Sequence, residues 1–289
     1  MTAREIKNFL VDDGTGETYP PNLYDYRGFA QGVNSFDEVT DDHIAQFHQQ
    51  GFLVIYEALT VGEVQTILDA FMDLISGQNP EFTGIMFEKK AAGLPLDSLP
   101  PEQKQDYVRK FMYFVEYDAR LKAASEHPKL LNVITRIIGE PPELFQDMAL
   151  LKPPQIGREK PWHQDHAYFD LPLEAPVVGA WIALDEATPE NGCVIINPGT
   201  HRQGPLVHFQ RRDWQICDTD ISNQGALAVP LKPGGCLLFH SLLQHGTPVN
   251  HSPKRRRAIQ FHYKPASVQL NTPEERLAIF GEEGKNVTC

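Results

Sequence analysis

The apolar positions of the first 140 residues recur at helical intervals, whereas those of the remainder fall in short, nearly continuous runs. Val64, Ile67, Leu68, Phe71, Leu74 and Ile75 lie three and four residues apart, between Thr60 and a stop at Gly77. Thr60 and Glu63 have the spacing of a capping box, so this stretch predicts an amphipathic helix. A shorter helix is expected from Thr40, with Asp41 and Asp42 in its first turn, Ile44 and Phe47 on its buried side, and Gly51 at its end. FLVIYEAL from Phe52 reads as a buried strand, and HPKLLNVITRIIGE from His127 as a third helix that buries Leu130, Leu131, Val133, Ile134, Ile137 and Ile138. Residues 1–37 lack periodicity but hold Tyr19, Tyr24, Tyr26 and Phe29 among Pro and Gly, as an ordered arm lying over a body would. Residues 78–106, with GLPLDSLPPEQKQ, read as a long irregular excursion, of the kind that is either a functional lid or disordered.

From about residue 143 the pattern changes to FQDMALLK, VVGAWIALDE, CVIINPG, ALAVPL, GCLLFH and RRAIQFHYK, short runs punctuated by Pro and Gly. Such spacing is that of an antiparallel sandwich or barrel. The expectation is an α+β protein, mainly helical over 1–140 and mainly β over 141–289. No linker composition separates the two parts, so they are read as one domain.

Composition narrows the partners. The 289 residues are 41% hydrophobic and 22% charged, the balance of a folded chain. A net charge of −12 repels phosphate backbones and anionic lipid, which argues against nucleic acid and membrane surfaces as partners. The N-terminal MTAREIKNFLVDDGTGETYPP has no apolar signal core, and no window holds an apolar run of bilayer length, so a cytoplasmic protein acting on a small molecule is expected. Cys193, Cys217, Cys236 and Cys289 lack CxxC spacing, and reduced thiols are the default. Oligomeric state is not legible in the sequence.

Seven of the eleven histidines fall between His163 and His251. In His163-Gln164-Asp165 the first and third residues share a face of an extended strand, a geometry that can chelate one metal. A single HxD is a weak signal, and it gains weight from His245, in a loop after the strand GGCLLFH, where two distant strands of a sandwich can meet. Two His and one carboxylate leave three adjacent positions open, as non-haem iron and O2 chemistry requires. The same donors also suit a zinc-bound water in a hydrolase, and a metal-free binding protein remains a third reading. Further on, RRAIQFHY is a strand, so one of Arg256 and Arg257 points inward, where a guanidinium needs a carboxylate partner such as an acidic co-substrate.

The blocks PWHQDHAYF, AWIALDEATPENGCVIINPGTH, GGCLLFHSLLQHG and RRAIQFHY resemble, in order and spacing, the phytanoyl-CoA dioxygenase family of Fe(II)- and 2-oxoglutarate-dependent oxygenases. The resemblance spans about residues 40–265. It implies a double-stranded β-helix, the jelly-roll or cupin-like fold, with iron held by His163, Asp165 and His245 and the far carboxylate of 2-oxoglutarate held by Arg256. O2 is then the oxidant. It also carries over Gln164, Trp181 and Thr247 as co-substrate contacts, with Lys110 and Met148 at plausible positions. Core packing for Trp181 and a surface place for Lys110 are the competing readings. Because the family's halogenating relatives have a small residue where Asp165 stands, the resemblance favours hydroxylation, or a related oxidation such as desaturation, over halogenation.

His166 and Tyr168 continue the metal-bearing stretch toward the barrel mouth and are read as substrate contacts. His201, His240 and His262 are read as packed or hydrogen-bonded residues. The stretch HRQGPLVHFQRRDWQICDTDISNQGA and the 78–106 excursion are the natural specificity elements, with Arg202, Arg211 and Arg212 expected in solvent. Catalysis by Cys236 with His240 is discarded, since four residues along a strand separate them by about 13 Å.

Overall fold

The computed structural model describes residues 10, 11 and 18–281; Cys289 and most of the first 17 residues lie outside that range. The first half alternates short strands with helices: β1 (Leu10–Val11), β2 (Gly28–Phe29), β3 (Gly32–Val33), α1 (Asp41–Gln50), β4 (Phe52–Ile55), α2 (Val61–Ser76), β5 (Ile85–Phe87), α3 (Pro101–Lys104), β6 (Val108–Met112), α4 (Ala119–Ser125) and α5 (Pro128–Ile138). The second half begins with β7 (Pro142–Lys152), β8 (Lys160–His163), β9 (Val178–Ala183), β10 (Val194–Ile196), β11 (His208–Gln210) and β12 (Trp214–Ile216). It continues with β13 (Leu227–Val229), β14 (Cys236–His240), β15 (His245–Thr247) and β16 (Arg256–Pro265), and ends in α6 (Pro273–Phe280).

The longer helices start where a side chain can accept from their unpaired amides. At α2 the Thr60 N–H donates to Glu63 Oε2 at 2.7 Å and the Glu63 N–H to Thr60 Oγ1 at 3.3 Å. At α1 the reciprocal acceptor is His43 Nδ1, 3.1 Å from the Thr40 amide. α1 stops at Gly51, whose φ is +82° and where an added Cβ would lie 2.5 Å from His201 Nδ1. Gly77 ends α2 at φ +81° with open space around it. Gly77→Ala is therefore expected to cost about 1 kcal/mol, the left-handed strain alone, and Gly51→Ala about 2–3 kcal/mol because overlap adds to it. Urea unfolding of the two variants reads the difference, and equal losses would remove the His201 contact from the account.

Nine strands form one sheet in the order β1-β5-β6-β7-β16-β9-β14-β4-β3, and five form a second in the order β2-β13-β10-β15-β8. The central strands β7, β16, β9 and β14 of the first sheet face β8, β15, β10 and β13 of the second, the arrangement of a double-stranded β-helix. The larger sheet's strands β4, β9 and β14 are buried on both faces, which explains their unbroken apolar runs. In β9, Ala180 and Ile182 join the core beneath the helices with Ile67, Phe71 and Leu74 of α2, while Trp181 and Ala183 join the barrel core. β16 alternates likewise: Ile259, Phe261 and Tyr263 pack toward the helices, and Arg256, Ala258, Gln260 and His262 occupy the opposite face.

The aromatic arm packs in part: Leu23 and Tyr24 are buried and the Leu23 carbonyl accepts from Trp162 Nε1 at 3.0 Å, whereas Tyr26 and Phe29 are exposed. The first half is less purely helical than the sequence suggested. β4, β5 and β6 extend the larger sheet, and the 78–106 excursion contains β5 and α3. Three-residue strands and four-residue helices are too short for periodicity to register. Cys193 and Cys236 are buried free thiols, whereas Cys217 departs from the expectation and is disulfide-bonded. Among the described residues no helix is long and apolar enough to cross a membrane.

Candidate metal and co-substrate site

β8 and β15 are antiparallel neighbours in the smaller sheet, and their register sets His163 opposite His245 with ring centroids 4.2 Å apart. Each imidazole is turned by its own strand: His163 Nδ1–H donates to the Pro161 carbonyl at 2.7 Å and His245 Nδ1–H to the Leu243 carbonyl at 2.9 Å. With Nδ1 protonated, both Nε2 lone pairs face the barrel, the tautomer a metal needs. β8 ends at His163, and Gln164 stays extended, with φ −115° and ψ 127°, before a 3-10 turn runs from Asp165 to Tyr168. Asp165 thus shares the face of His163 although the strand does not continue through it.

Asp165 Oδ1 lies 3.1 Å from His163 Nε2 and 3.6 Å from His245 Nε2, and ligand atoms of the three residues all fall within 4.8 Å of one another. Donors about 2.1 Å from one ion at right angles are about 3 Å apart, so this set fits a single small cation. The other carboxylate oxygen, Oδ2, accepts from His262 Nε2 at 2.7 Å and Gln260 Nε2 at 3.2 Å. Burial opposes ionisation of Asp165, but the facing imidazoles of His245 and His262 and the hydrogen bonds at its oxygens outweigh it and hold the group well below the usual carboxylate range. Burial, and next the neighbouring His163 ring, push His245 down to about 4. At neutral pH the site therefore offers a carboxylate and an unprotonated His245.

A cavity of about 510 Å³ opens from this cluster, reaching Arg256 along one wall and Met86, Met112 and Met148 along another. Arg256 is 2% exposed, and burial pulls its guanidinium down to about 10. Its Nη1 donates to the Leu150 carbonyl at 3.2 Å, its carbon centre sits 5.3 Å over the Trp181 ring, and its Nε has no partner among the described residues. A buried cation with unspent donors facing a cavity is the complement of an anionic ligand. Arg257, on the outer face, is already matched by Asp185 at 2.7 Å.

Trp181, Thr247, Met148, Lys110 and Tyr168 all line the cavity. Lys110 is half-buried on the cavity wall: it stands on β6 opposite Leu150 of β7. Two sequence candidates lie outside the cavity lining, Gln164 because it alternates with His163 and Asp165 on extended backbone and His166 because it sits within the 3-10 turn. Gln164 is fully buried and joins loops, its amide nitrogen donating to the Gly204 and Leu242 carbonyls at 2.9 Å and its oxygen accepting from Leu206 N–H at 2.8 Å. His166 faces Ser241 Oγ at 2.9 Å and stacks on Phe280, so it is not a cavity residue either.

The sequence reading missed Gln260 and Lys152. Lys152 is the cross-strand partner of Arg256, and its ammonium is held by the carbonyls of Pro248, at 2.7 Å, and Arg158, fixing the turn after Thr247. Burial, then the adjacent Arg256, push Lys152 well below the ordinary lysine range. Arg212 is another correction: it is buried, bound to Glu159 and to both oxygens of Asp218 at 2.7 and 2.8 Å. With Lys160 Nζ bonded to Asp213 at 2.9 Å and Tyr168 OH at 2.8 Å, it pins the β11–β12 turn against the cavity.

Residues 47–258 match the family model described as phytanoyl-CoA dioxygenase (PhyH). The zebrafish (Danio rerio) phytanoyl-CoA dioxygenase domain-containing protein 1 is 24% identical over 281 residues, covering 83% of this chain and 95% of the relative. Among solved structures, EvdO2 of Micromonospora carbonacea, complexed with 2-oxoglutarate, is 25% identical with a TM-score of 0.65, covering 84% of this chain and 98% of that one. The epimerase SnoN of nogalamycin biosynthesis, in complex with Fe3+, alpha-ketoglutarate and nogalamycin RO, superposes with a TM-score of 0.63 at 18% identity, covering 80% and 86%, and shares the fold.

Proposed function

Because the chain belongs to the phytanoyl-CoA dioxygenase family of Fe(II)- and 2-oxoglutarate-dependent oxygenases, we propose that it hydroxylates an unactivated C–H bond of a small organic substrate, with His163, Asp165 and His245 as the iron ligands and Arg256 as the anchor of 2-oxoglutarate. The observation that carries this reading is the pairing, in one cavity, of a closed three-donor cluster with a buried guanidinium that lacks an anion. The zinc-hydrolase reading leaves that guanidinium unexplained and predicts no dependence on 2-oxoglutarate.

Iron with bound 2-oxoglutarate supplies the oxidising power, consuming O2 and releasing succinate and CO2. The chain's own groups do the rest. Arg256 forks onto the far carboxylate and fixes the co-substrate's direction, with Trp181 backing the guanidinium and Met148 and Thr247 on the flanking walls. The methionine wall and Phe169 would give the substrate apolar surface beside the donor cluster. Tyr168 and Lys110 stand where a substrate would pass. The carboxylate at position 165 would occupy the place a halide needs, which favours hydroxylation or a related oxidation over halogenation, and with His163 and His245 it would hold the iron.

Anaerobic titration of metal-free protein with Fe(II) and then 2-oxoglutarate is expected to produce the weak visible charge-transfer band of a chelated keto acid. Iron binding without the band would favour a hydrolase or sensor. For the reaction type, hydroxylated product should carry one oxygen atom from 18O2, and a product isomeric with its substrate would point to epimerisation instead.

A further inference from the structure

We infer that His262, assisted by Gln260, is a positioning residue that ties down one oxygen of Asp165 and so limits this carboxylate to a single metal-coordinating oxygen. The inference rests on the functional reading above and assigns within it a residue that touches neither the cavity wall nor the metal-facing oxygen.

The two oxygens of Asp165 have separate surroundings. Oδ1 faces His163 and His245 at 3.1 and 3.6 Å, and Oδ2 faces His262 Nε2 at 2.7 Å and Gln260 Nε2 at 3.2 Å. A carboxylate only accepts, so the proton must sit on His262 Nε2. This contact crosses the barrel: Asp165 follows β8 of the smaller sheet, while His262 and Gln260 share the inward face of β16 in the larger one with Arg256. The strand that presents the co-substrate's anchor thereby also holds a metal ligand.

Packing alone does not account for a histidine here. The ring is fully buried, with its centroid 4.9 Å from Phe169, 6.1 Å from Phe145 and 6.2 Å from Phe239. Its Nδ1 has no partner among the described residues. A buried nitrogen left unsatisfied costs about 1–3 kcal/mol, which a leucine or phenylalanine in the same aromatic nest would avoid. With Nε2 protonated, the ring's hydrogen-bond partner among the described residues is Asp165 Oδ2, and the Gln260 amide nitrogen, 3.0 Å away, is a second donor to that same oxygen and not a partner of the ring.

Holding Oδ2 has a definite chemical consequence. A carboxylate bound through one oxygen leaves three adjacent positions, two for the keto acid and one for O2. Released from His262, Asp165 is free to turn both oxygens toward the metal and take a position the keto acid needs. Loss of His262 should therefore weaken 2-oxoglutarate binding, although the two do not touch in this arrangement.

The test compares His262→Leu, His262→Gln and His262→Asn with the unaltered protein by anaerobic titration with Fe(II) and then 2-oxoglutarate, reading iron affinity by chelator competition and the charge-transfer band. His262→Leu is expected to raise the 2-oxoglutarate concentration for half-maximal band by about 10–100-fold and to shift the band, with iron affinity less affected. Gln, whose amide nitrogen can reach where Nε2 stands, should restore binding to within about threefold, and Asn, one methylene shorter, should not. Three variants that all behave as the unaltered protein, or a Gln variant no better than Leu, would overturn the inference. Should the Leu variant not fold, the Gln and Asn pair carries the same discrimination. Absence of the band in the unaltered protein would instead remove the functional reading itself.

Discussion

Asp165→Ala is expected to lower 2-oxoglutarate-dependent turnover by about a thousandfold or more while leaving a cooperatively folding protein. Asp165 is the single anionic member of the donor cluster, and a bound metal's stabilisation of developing charge is worth several kcal/mol, at about 1.4 kcal/mol per tenfold in rate. The substitution leaves His163 and His245 correctly turned, since their Nδ1 bonds go to backbone carbonyls. It does orphan the donors of His262 and Gln260, at a cost of about 1–3 kcal/mol, or a few degrees in melting temperature for a chain of this size. The pH dependence should change too. With its folded pKa held below the unfolded value, Asp165 stabilises the metal-free protein above about pH 4, and this contribution is lost as pH falls through the folded value. The alanine variant should lack that part of the acid transition. Succinate release and acid unfolding of the two proteins measure both effects; full turnover in the variant would remove Asp165 from the ligand set.

How far the sequence revealed this site depended on whether a residue's direction could be read from local periodicity. His163, Asp165 and His245 are separated along the chain, yet each sits at a strand end where the i, i+2 rule or a neighbouring turn sets its direction. Arg256 was ambiguous with Arg257 until the pairing of Arg257 with Asp185 placed the latter outside. The same alternation in RRAIQFHY puts Gln260 and His262 on the face of Arg256, so the signal for both was present. Nothing local marked their partner, because the contact with Asp165 crosses between sheets. Gln164 turns away because neighbours on an extended stretch face opposite sides, and His166 because the 3-10 turn that begins at Asp165 directs it toward Ser241. The helices α1, α2 and α5 were legible from caps and apolar stripes, α6 carries a Thr272–Glu275 capping box that went unread, and β5 and β6 owe their form to the sheet they extend.

Arg256→Met should separate two quantities that usually fall together, co-substrate affinity and the stability of the protein without ligand. In the ligand-free state the Arg256 guanidinium is buried with Nε unpartnered, and burial lowers its pKa to about 10, so the folded state bears the cost of that cation at every pH below about 10. A methionine of similar length removes this cost, and replacing buried charge by apolar volume is commonly neutral or stabilising by about 1–4 kcal/mol. Ligand-free Arg256→Met should therefore melt no lower than the unaltered protein. Loss of one partner of a buried charge pair costs about 3–5 kcal/mol, so the 2-oxoglutarate concentration for half-maximal turnover should rise by about 100-fold or more. A third observable ties the two together. With Fe(II) present and 2-oxoglutarate at about a hundred times its dissociation constant, the unaltered protein gains about 2.7 kcal/mol of stability, and the variant at the same concentration should gain little. An unchanged requirement for 2-oxoglutarate would move the anchor to another cation on the cavity wall, with Lys110 first in line, since Arg257 points to the opposite face of the sheet.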